Sequence, residues 1–361
     1  MLYNLLYPLA DYFVLFNVFK YITFRTAYAI ITSFLFALIF GPIIINFLKN
    51  LHIEQRVKGY EPERHKMKEG TPTMGGLLII VSVTLSAVLW SDLRNIYVWL
   101  VIFIYISMGI LGFCDDYIKT FKHNPVGLNA KTKLICEIIL SFIVVYFIVK
   151  IDSTGNSTKI ALPFFKDLVF DLSYFYYVLA IFVIVGASNA VNLTDGLDGL
   201  AIMPSVIAFG TFIVFVYVAG NVRFSEYLDI LYVRNCGELA IFCGAMVGGG
   251  LGFLWFNAYP ASVIMGDMGS LSIGGALGTI SVISKQEVVL AIVGFVFVIE
   301  TLSVILQIGF FRATNGKRLF KMAPIHHHFE MKNWSEPKII VRFWIISFIF
   351  ALIALSTLKL R

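Results

Sequence analysis

Ten apolar segments dominate the chain, at about 26–48, 74–91, 97–114, 134–151, 174–190, 200–219, 239–257, 271–284, 288–311 and 343–358. Lipid offers the backbone no hydrogen-bond partners, so each segment must satisfy its own N–H and C=O groups as a helix. Most meet the length of about 20 residues that a span requires. The eighth, Leu271–Ser284, is short and carries Gly274, Gly275 and Gly278. It either begins earlier or packs closely without fully spanning. With 59% apolar and 14% charged residues and a mean hydropathy of +0.85, too few polar groups remain to coat a soluble surface. Soluble, fibrous and disordered classes are excluded. The expected fold is an all-α polytopic membrane protein of about ten transmembrane helices, forming one domain over residues 1–361.

Ten spans place both termini on one side. Loops 49–73, 115–133, 191–199, 258–270 and 312–342 hold 17 of the 28 Lys and Arg. The positive-inside rule assigns these loops to the cytoplasm and both termini to the periplasmic side. The basic excess is therefore read as membrane orientation, with no nucleic-acid partner. Residues 1–25 are apolar but interrupted by Asp11, Lys20 and Arg25 and lack a basic start. They read as an interfacial segment rather than a cleavable signal. Cys114, Cys136, Cys236 and Cys243 show no paired spacing, and neither a disulfide nor a zinc site is expected.

The unusual polar residues gather in the cytoplasmic loops. Asp115 and Asp116 end the third span, where a helix C-terminus prefers cations. They are either a solvated loop start or a carboxylate pair for a divalent cation. Asn189, Asn192, Asp195 and Asp198 fall within ten residues, more hard oxygen ligands than turns require. Asp267 stands between Gly266 and Met268-Gly269, where backbone can approach a bound group closely. His326, His327 and His328 suit phosphate contact or proton handling, and no partner histidines complete a zinc site. Lysines share this face. Acids that hold a metal, ringed by cations, describe a site for phosphate or diphosphate. Glu300 lies within the ninth span, as a functional acid or one satisfied by Thr301, Ser303 or another helix. Gln307 lies two turns nearer the cytoplasm and within reach of the site.

These residues resemble the phospho-N-acetylmuramoyl-pentapeptide transferase family, within the wider polyprenyl-phosphate sugar-1-phosphate transferases. The resemblance rests on GTPTMGG at 70–76, DDY at 115–117, NAVNLTDGLDGLA at 189–201, FLWFNAYPA at 253–261, MGDMGS at 265–270 and PIHHHFE at 324–330. It covers essentially the whole chain. It implies ten helices, a homodimer and Mg²⁺-dependent cytoplasmic chemistry between UDP-MurNAc-pentapeptide and undecaprenyl phosphate, giving lipid I and UMP. It further implies that Asp267 ligates Mg²⁺ and that Asp115 and Asp116 are catalytic, one of them also contacting metal or lipid phosphate. Asn257 and His326 would be essential polar groups at the phosphates. Lys68, Thr73, Lys119, Lys131, Asn189, Asn192, Asp195 and Asp198 would line the nucleotide–sugar cleft, with His327 and His328 beside them. The sequence departs from the family at Ile264, where many relatives carry a Phe able to stack on uracil.

The acceptor is a phosphate monoester, mostly a dianion at neutral pH, and needs no strong base. Direct attack on the sugar-linked phosphorus is favoured, with a covalent aspartyl intermediate as its rival. A UDP-GlcNAc-type hexosamine-1-phosphate transferase, a secondary transporter and a structural scaffold are the competing functions.

Overall fold

The computed structural model describes residues 1–51, 70–121, 127–165 and 168–359. Its helices are α1 (Leu2–Leu6), α2 (Ile22–Asn50), α3 (Gly76–Trp90), α4 (Ile96–Phe121), α5 (Ala130–Ile151), α6 (Phe175–Thr194), α7 (Ile202–Ala219), α8 (Val222–Leu228), α9 (Leu239–Asn257), α10 (Gly266–Ile283), α11 (Glu287–Val293), α12 (Phe295–Ala313), α13 (Ile325–Glu330) and α14 (Glu336–Ser356). Among the described residues, eight helical segments are long and apolar enough to cross a membrane. At 15 residues α3 is shorter, about 22 Å long.

Two glycine-rich helices form the centre. α9 packs against α2, α3 and α7, and α10 packs against α3, α4 and α6. Small residues let backbones meet where lipid supplies no hydrophobic drive. A Cβ on Gly248 of α9 would lie 2.0 Å from the Ile30 carbonyl oxygen of α2. One on Gly76 of α3 would lie 2.3 Å from the Gly269 nitrogen of α10. α10 begins at Gly266, earlier than its apolar run, and is buried continuously from Met268 to Ile283.

Several boundaries differ from the hydropathy reading. The third span continues as helix to Phe121, so Asp115, Asp116 and Lys119 are helical rather than loop residues. Likewise α6 runs to Thr194, and Asp267 falls in the first turn of α10. Polar side chains at these ends face other protein elements, so hydropathy ends before the helix does. The ninth apolar segment breaks at Gly294 into α11 and α12, and a Cβ there would sit 2.9 Å from the Leu290 carbonyl oxygen. The fold is also not purely helical. Strands β1 (Lys159–Ala161) and β2 (Val169–Asp171) form an antiparallel hairpin in the connection before α6, pairing Ile160 with Phe170.

The N-terminal segment is a run of short helical turns with Tyr12, Phe13, Val14 and Leu15 exposed, ending before α2 at Ile22. Arg25 lies in α2 and is buried against Glu238. Arg25 Nη2 donates to Glu238 Oε2 at 3.0 Å, and Nη1 reaches the Trp90 carbonyl at 3.3 Å. Glu238 also accepts the Asp92 N–H at 2.6 Å. Breaking a buried pair strands the remaining charge, at about 3–5 kcal/mol. Glu238→Ala should therefore lower the thermal midpoint of the detergent-solubilised protein markedly. The double variant Arg25→Met/Glu238→Leu should recover most of that loss.

Candidate active site

The site forms where the end of α4 meets the start of α10. Gly112 permits the approach, since a Cβ there would lie 2.3 Å from the Asp267 carbonyl oxygen. Asp116 is buried, and its Oδ2 accepts the Met268 N–H at 3.2 Å. It thereby caps the exposed donors and positive end of α10 from a neighbouring helix. Gly266 adopts φ +74°, and a Cβ on it would lie 2.7 Å from Asp116 Oδ2 and 3.1 Å from Thr73 Oγ1. Thr73 is brought there by backbone pairing of two loops. Ile264 N–H donates to the Pro72 carbonyl at 2.9 Å, and Gly75 N–H to the Ile264 carbonyl at 2.8 Å.

Asp267 is the hub. Lys119 Nζ bridges Asp267 Oδ2 at 2.9 Å and Asp115 Oδ2 at 2.6 Å. Lys133 Nζ contacts Asp267 Oδ2 at 3.0 Å and Asp115 Oδ2 at 3.8 Å. Asn192 Nδ2 donates to Asp267 Oδ1 at 2.9 Å and to Ser270 Oγ at 2.8 Å. Asp115 Oδ1 accepts the Leu128 N–H at 2.6 Å. Burial works to raise the Asp267 carboxyl. The hydrogen bond shared with Asp115, the charges of Lys133 and Lys119 and the Asn192 amide outweigh it and hold the group well below the usual carboxylate range. These surroundings favour the ionised carboxylate, whose oxygens are engaged by Lys119, Lys133 and Asn192. Among the described residues, no three His, Cys, Asp or Glu side chains make a metal cage by themselves.

Lys133 and Glu137 were not among the residues singled out in the sequence. α5 starts at Ala130, with Asn129 accepting the Lys131 N–H at 3.1 Å as its cap. Its inward stripe runs through Glu137, Ser141, Val144, Val145 and Ile148. Lys133 extends that stripe by one turn, and Lys131 falls on the opposite, exposed side. Glu137 is buried and accepts from Asn189 Nδ2 at 2.6 Å, which ties Asn189 to α5. The capping Asn129 and the Lys-x-x-x-Glu spacing were the available signals.

A second group surrounds the turn after α6. Asp195 caps α6, and the apolar underside of the turn, Leu197 and Leu200, packs on Val296, Ile339 and Phe343. Asp198 Oδ2 accepts the Ala261 N–H at 3.0 Å. Asn257 is buried, with Oδ1 accepting from Gly199 N–H at 2.9 Å and Nδ2 donating to the Val263 carbonyl at 2.8 Å. It holds together the two loops that frame the cleft. The three histidines diverge, as consecutive helical residues about 100° apart must. His326 points inward and packs against Gly196, where a Cβ would lie 2.3 Å from its Nε2. His327 Nδ1 pairs with Glu330 Oε2 at 2.6 Å, and His328 Nδ1 accepts the Lys321 N–H at 3.1 Å. Gln307 Oε1 accepts the Leu319 and Phe320 N–H groups at 3.1 and 2.8 Å, shaping the loop before α13. Lys68 lies outside the described residues.

An apolar cavity of about 270 Å³ opens beside this cluster, between α6, α10, α11 and α12. Phe182, Ala187, Leu290, Phe297, Val298 and Ile305 line it. Val191 is also part of its wall, and the next residue, Asn192, holds Asp267. The groove and the charged cluster thus share the last turns of α6.

The chain is similar to known proteins along its whole length. The model of glycosyl transferase family 4 matches residues 97–285, and the phospho-N-acetylmuramoyl-pentapeptide-transferase signature 1 matches residues 68–80. The chain is 54% identical to the phospho-N-acetylmuramoyl-pentapeptide-transferase of Syntrophus aciditrophicus (strain SB) over 361 residues, 100% of both chains. It is 55% identical to that of Geobacter sp. (strain M21), again over 100% of both. The same full coverage and 55% identity relate it to the protein of that name from Rickettsia montanensis. On this likeness over its whole length, the chain belongs to the phospho-N-acetylmuramoyl-pentapeptide-transferase family.

Proposed function

We propose that this chain transfers phospho-MurNAc-pentapeptide from UDP-MurNAc-pentapeptide to undecaprenyl phosphate, releasing UMP and forming lipid I for peptidoglycan synthesis. The observation that carries the reading is the Asp267 hub, with its lysines and amide, on helices that also border an apolar groove. A diphosphate needs cations and a metal-holding carboxylate, while an isoprenoid needs an apolar track. On this reading ten spans cross the bacterial cytoplasmic membrane, both termini are periplasmic, the cleft faces the cytoplasm and two copies pair as a homodimer. The excess of Lys and Arg in the cleft-side loops supports that orientation.

Mg²⁺ suits the donors present. It is held by one or two carboxylates plus substrate phosphates rather than by an all-protein cage. Asp267, with Asp115 beside it, would hold the ion, and bound Mg²⁺ would offset charge on the diphosphate. Lys119 and Lys133 add positive charge for the leaving UMP phosphate. The lipid phosphate oxygen attacks the sugar-linked phosphorus. The diphosphate P–O bond breaks, and UMP leaves with its electron pair. Asp116 is engaged at the Met268 N–H, and Asp115 at Leu128 and Lys119. Both Asp115 oxygens are engaged, which favours direct transfer over attack by that carboxylate. Asn192, Asn257 and Asp198 order the walls that receive the nucleotide sugar.

Two outcomes follow for purified protein in detergent. Lys133→Ala should cut UMP release by roughly 10²-fold or more, as removal of an electrostatic stabiliser does. Lys131→Ala should leave the rate nearly unchanged, and equal losses at both positions would contradict the assignment. In the second assay, UMP release should stop on chelation and return with added Mg²⁺. Labelled UMP should not exchange into UDP-MurNAc-pentapeptide until undecaprenyl phosphate is present. Exchange without the lipid would favour the aspartyl intermediate.

A further inference from the structure

Glu300 is fully buried in the interior of α12, where an ionisable group in a lipid-embedded helix calls for a partner. The nearby hydroxyls do not provide one. Thr301 Oγ1 donates to the Phe297 carbonyl at 2.9 Å, and Ser303 Oγ to the backbone carbonyl of Glu300 at 2.7 Å. The partner comes from α13. His326 Nδ1 meets Glu300 Oε2 at 3.1 Å, and the histidine is buried as completely as the acid. Among the described residues, His326 Nε2 and Glu300 Oε1 have no hydrogen-bond partner. Nε2 lies against Gly196, in the turn between Asp195 and Asp198, at a contact too close for any side chain at 196.

We propose that Glu300 is a positioning residue for the transfer reaction. It accepts the Nδ1–H of His326, fixes the ring's tautomer and orientation, and sets the buried Nε2 edge against Gly196, so that the ring braces the Asp195–Asp198 turn of the cleft. The inference rests on the transferase reading for what the cleft holds, and on geometry alone for the pairing. A carboxylate can only accept, so the contact requires the proton on Nδ1. The second nitrogen is then the free one, as where a carboxylate orients a working imidazole. In this tautomer Nε2 carries no proton, so the ring can pack its bare edge on the Gly196 backbone. The geometry also explains the glycine in Asp195-Gly196-Leu197-Asp198. Any larger residue would displace the ring edge.

The test combines a spectroscopic reading of the resting protein with a mutant cycle. In protein labelled with ¹⁵N-histidine, the His326 signals are those lost in His326→Ala. They should show a protonated Nδ1 in the wild type and in Glu300→Gln, whose amide oxygen still accepts, and a mixture of tautomers in Glu300→Leu. A bare Nδ1 in the wild type overturns the proposal. In the transfer assay, Glu300→Leu should lower kcat by roughly 10–100-fold, the size typical when a partner that orients a histidine is removed. KM for the UDP-sugar should change by less than about threefold, because the bracing of one cleft turn is lost and not a direct substrate contact. Glu300→Gln should restore most of the rate. In a His326→Ala background, Glu300→Leu should add no further loss. Losses that multiply in the double variant would show that Glu300 acts apart from His326 and would overturn the proposal. If Glu300→Leu does not fold, the wild-type and Glu300→Gln spectra still decide it. Wild-type protein that transfers nothing refutes the transferase reading instead, and the tautomer measurement then decides the pairing separately.

Discussion

The contact between the end of α4 and the first turn of α10 governs the rest of the structure. It places Asp115 and Asp267 against one another and Asp116 on the α10 backbone, in surroundings with little water. Burial pushes the Asp115 and Asp116 carboxyls up while Asp267 is held down, so the three do not all carry charge at equal cost. Two lysines from different helices, an asparagine from a third and backbone N–H groups satisfy the carboxylate oxygens. The arrangement is therefore a carboxylate centre whose charge Lys119 and Lys133 offset.

The same contact explains the glycines. Gly112 lets α4 reach Asp267, and Gly76 lets α3 reach Gly269, so α10 is enclosed by protein along its length. A helix buried on all sides can start with a charged residue and still be held rigidly. The break at Gly294 has a different consequence. It parts α11 from α12 and leaves α12 beside an apolar cavity that also borders α6, the helix that carries Asn192.

Much of this was legible in the sequence, and the parts that were not share a cause. Apolar length located the helices well because lipid leaves the backbone few choices. The acid and amide motifs pointed to Asp115, Asp116, Asp267 and Asn192, which the fold brings together, and to Asn189, which pairs with Glu137. Hydropathy ended α4 and α6 too early because their polar last turns are buried by other helices rather than by lipid. Lys131 and Lys133 are alike in composition, and only the start of α5 decides which faces Asp267. The triple histidine reads as one unit, yet helix geometry sends the three rings to three partners. Glu300 was visible as an intramembrane acid, but its partner lies 26 residues away and across a loop, beyond any local pattern. The hairpin of β1 and β2 was too short to register against the apolar background.

The central claim is that Asp267 is where the reaction's divalent ion is held. Mn²⁺ can report on it directly by electron paramagnetic resonance in purified protein saturated with UDP-MurNAc-pentapeptide. The account predicts one tightly bound Mn²⁺ per chain, lost in Asp267→Asn and kept in Glu300→Leu. Equal Mn²⁺ binding by the wild type and Asp267→Asn would contradict it.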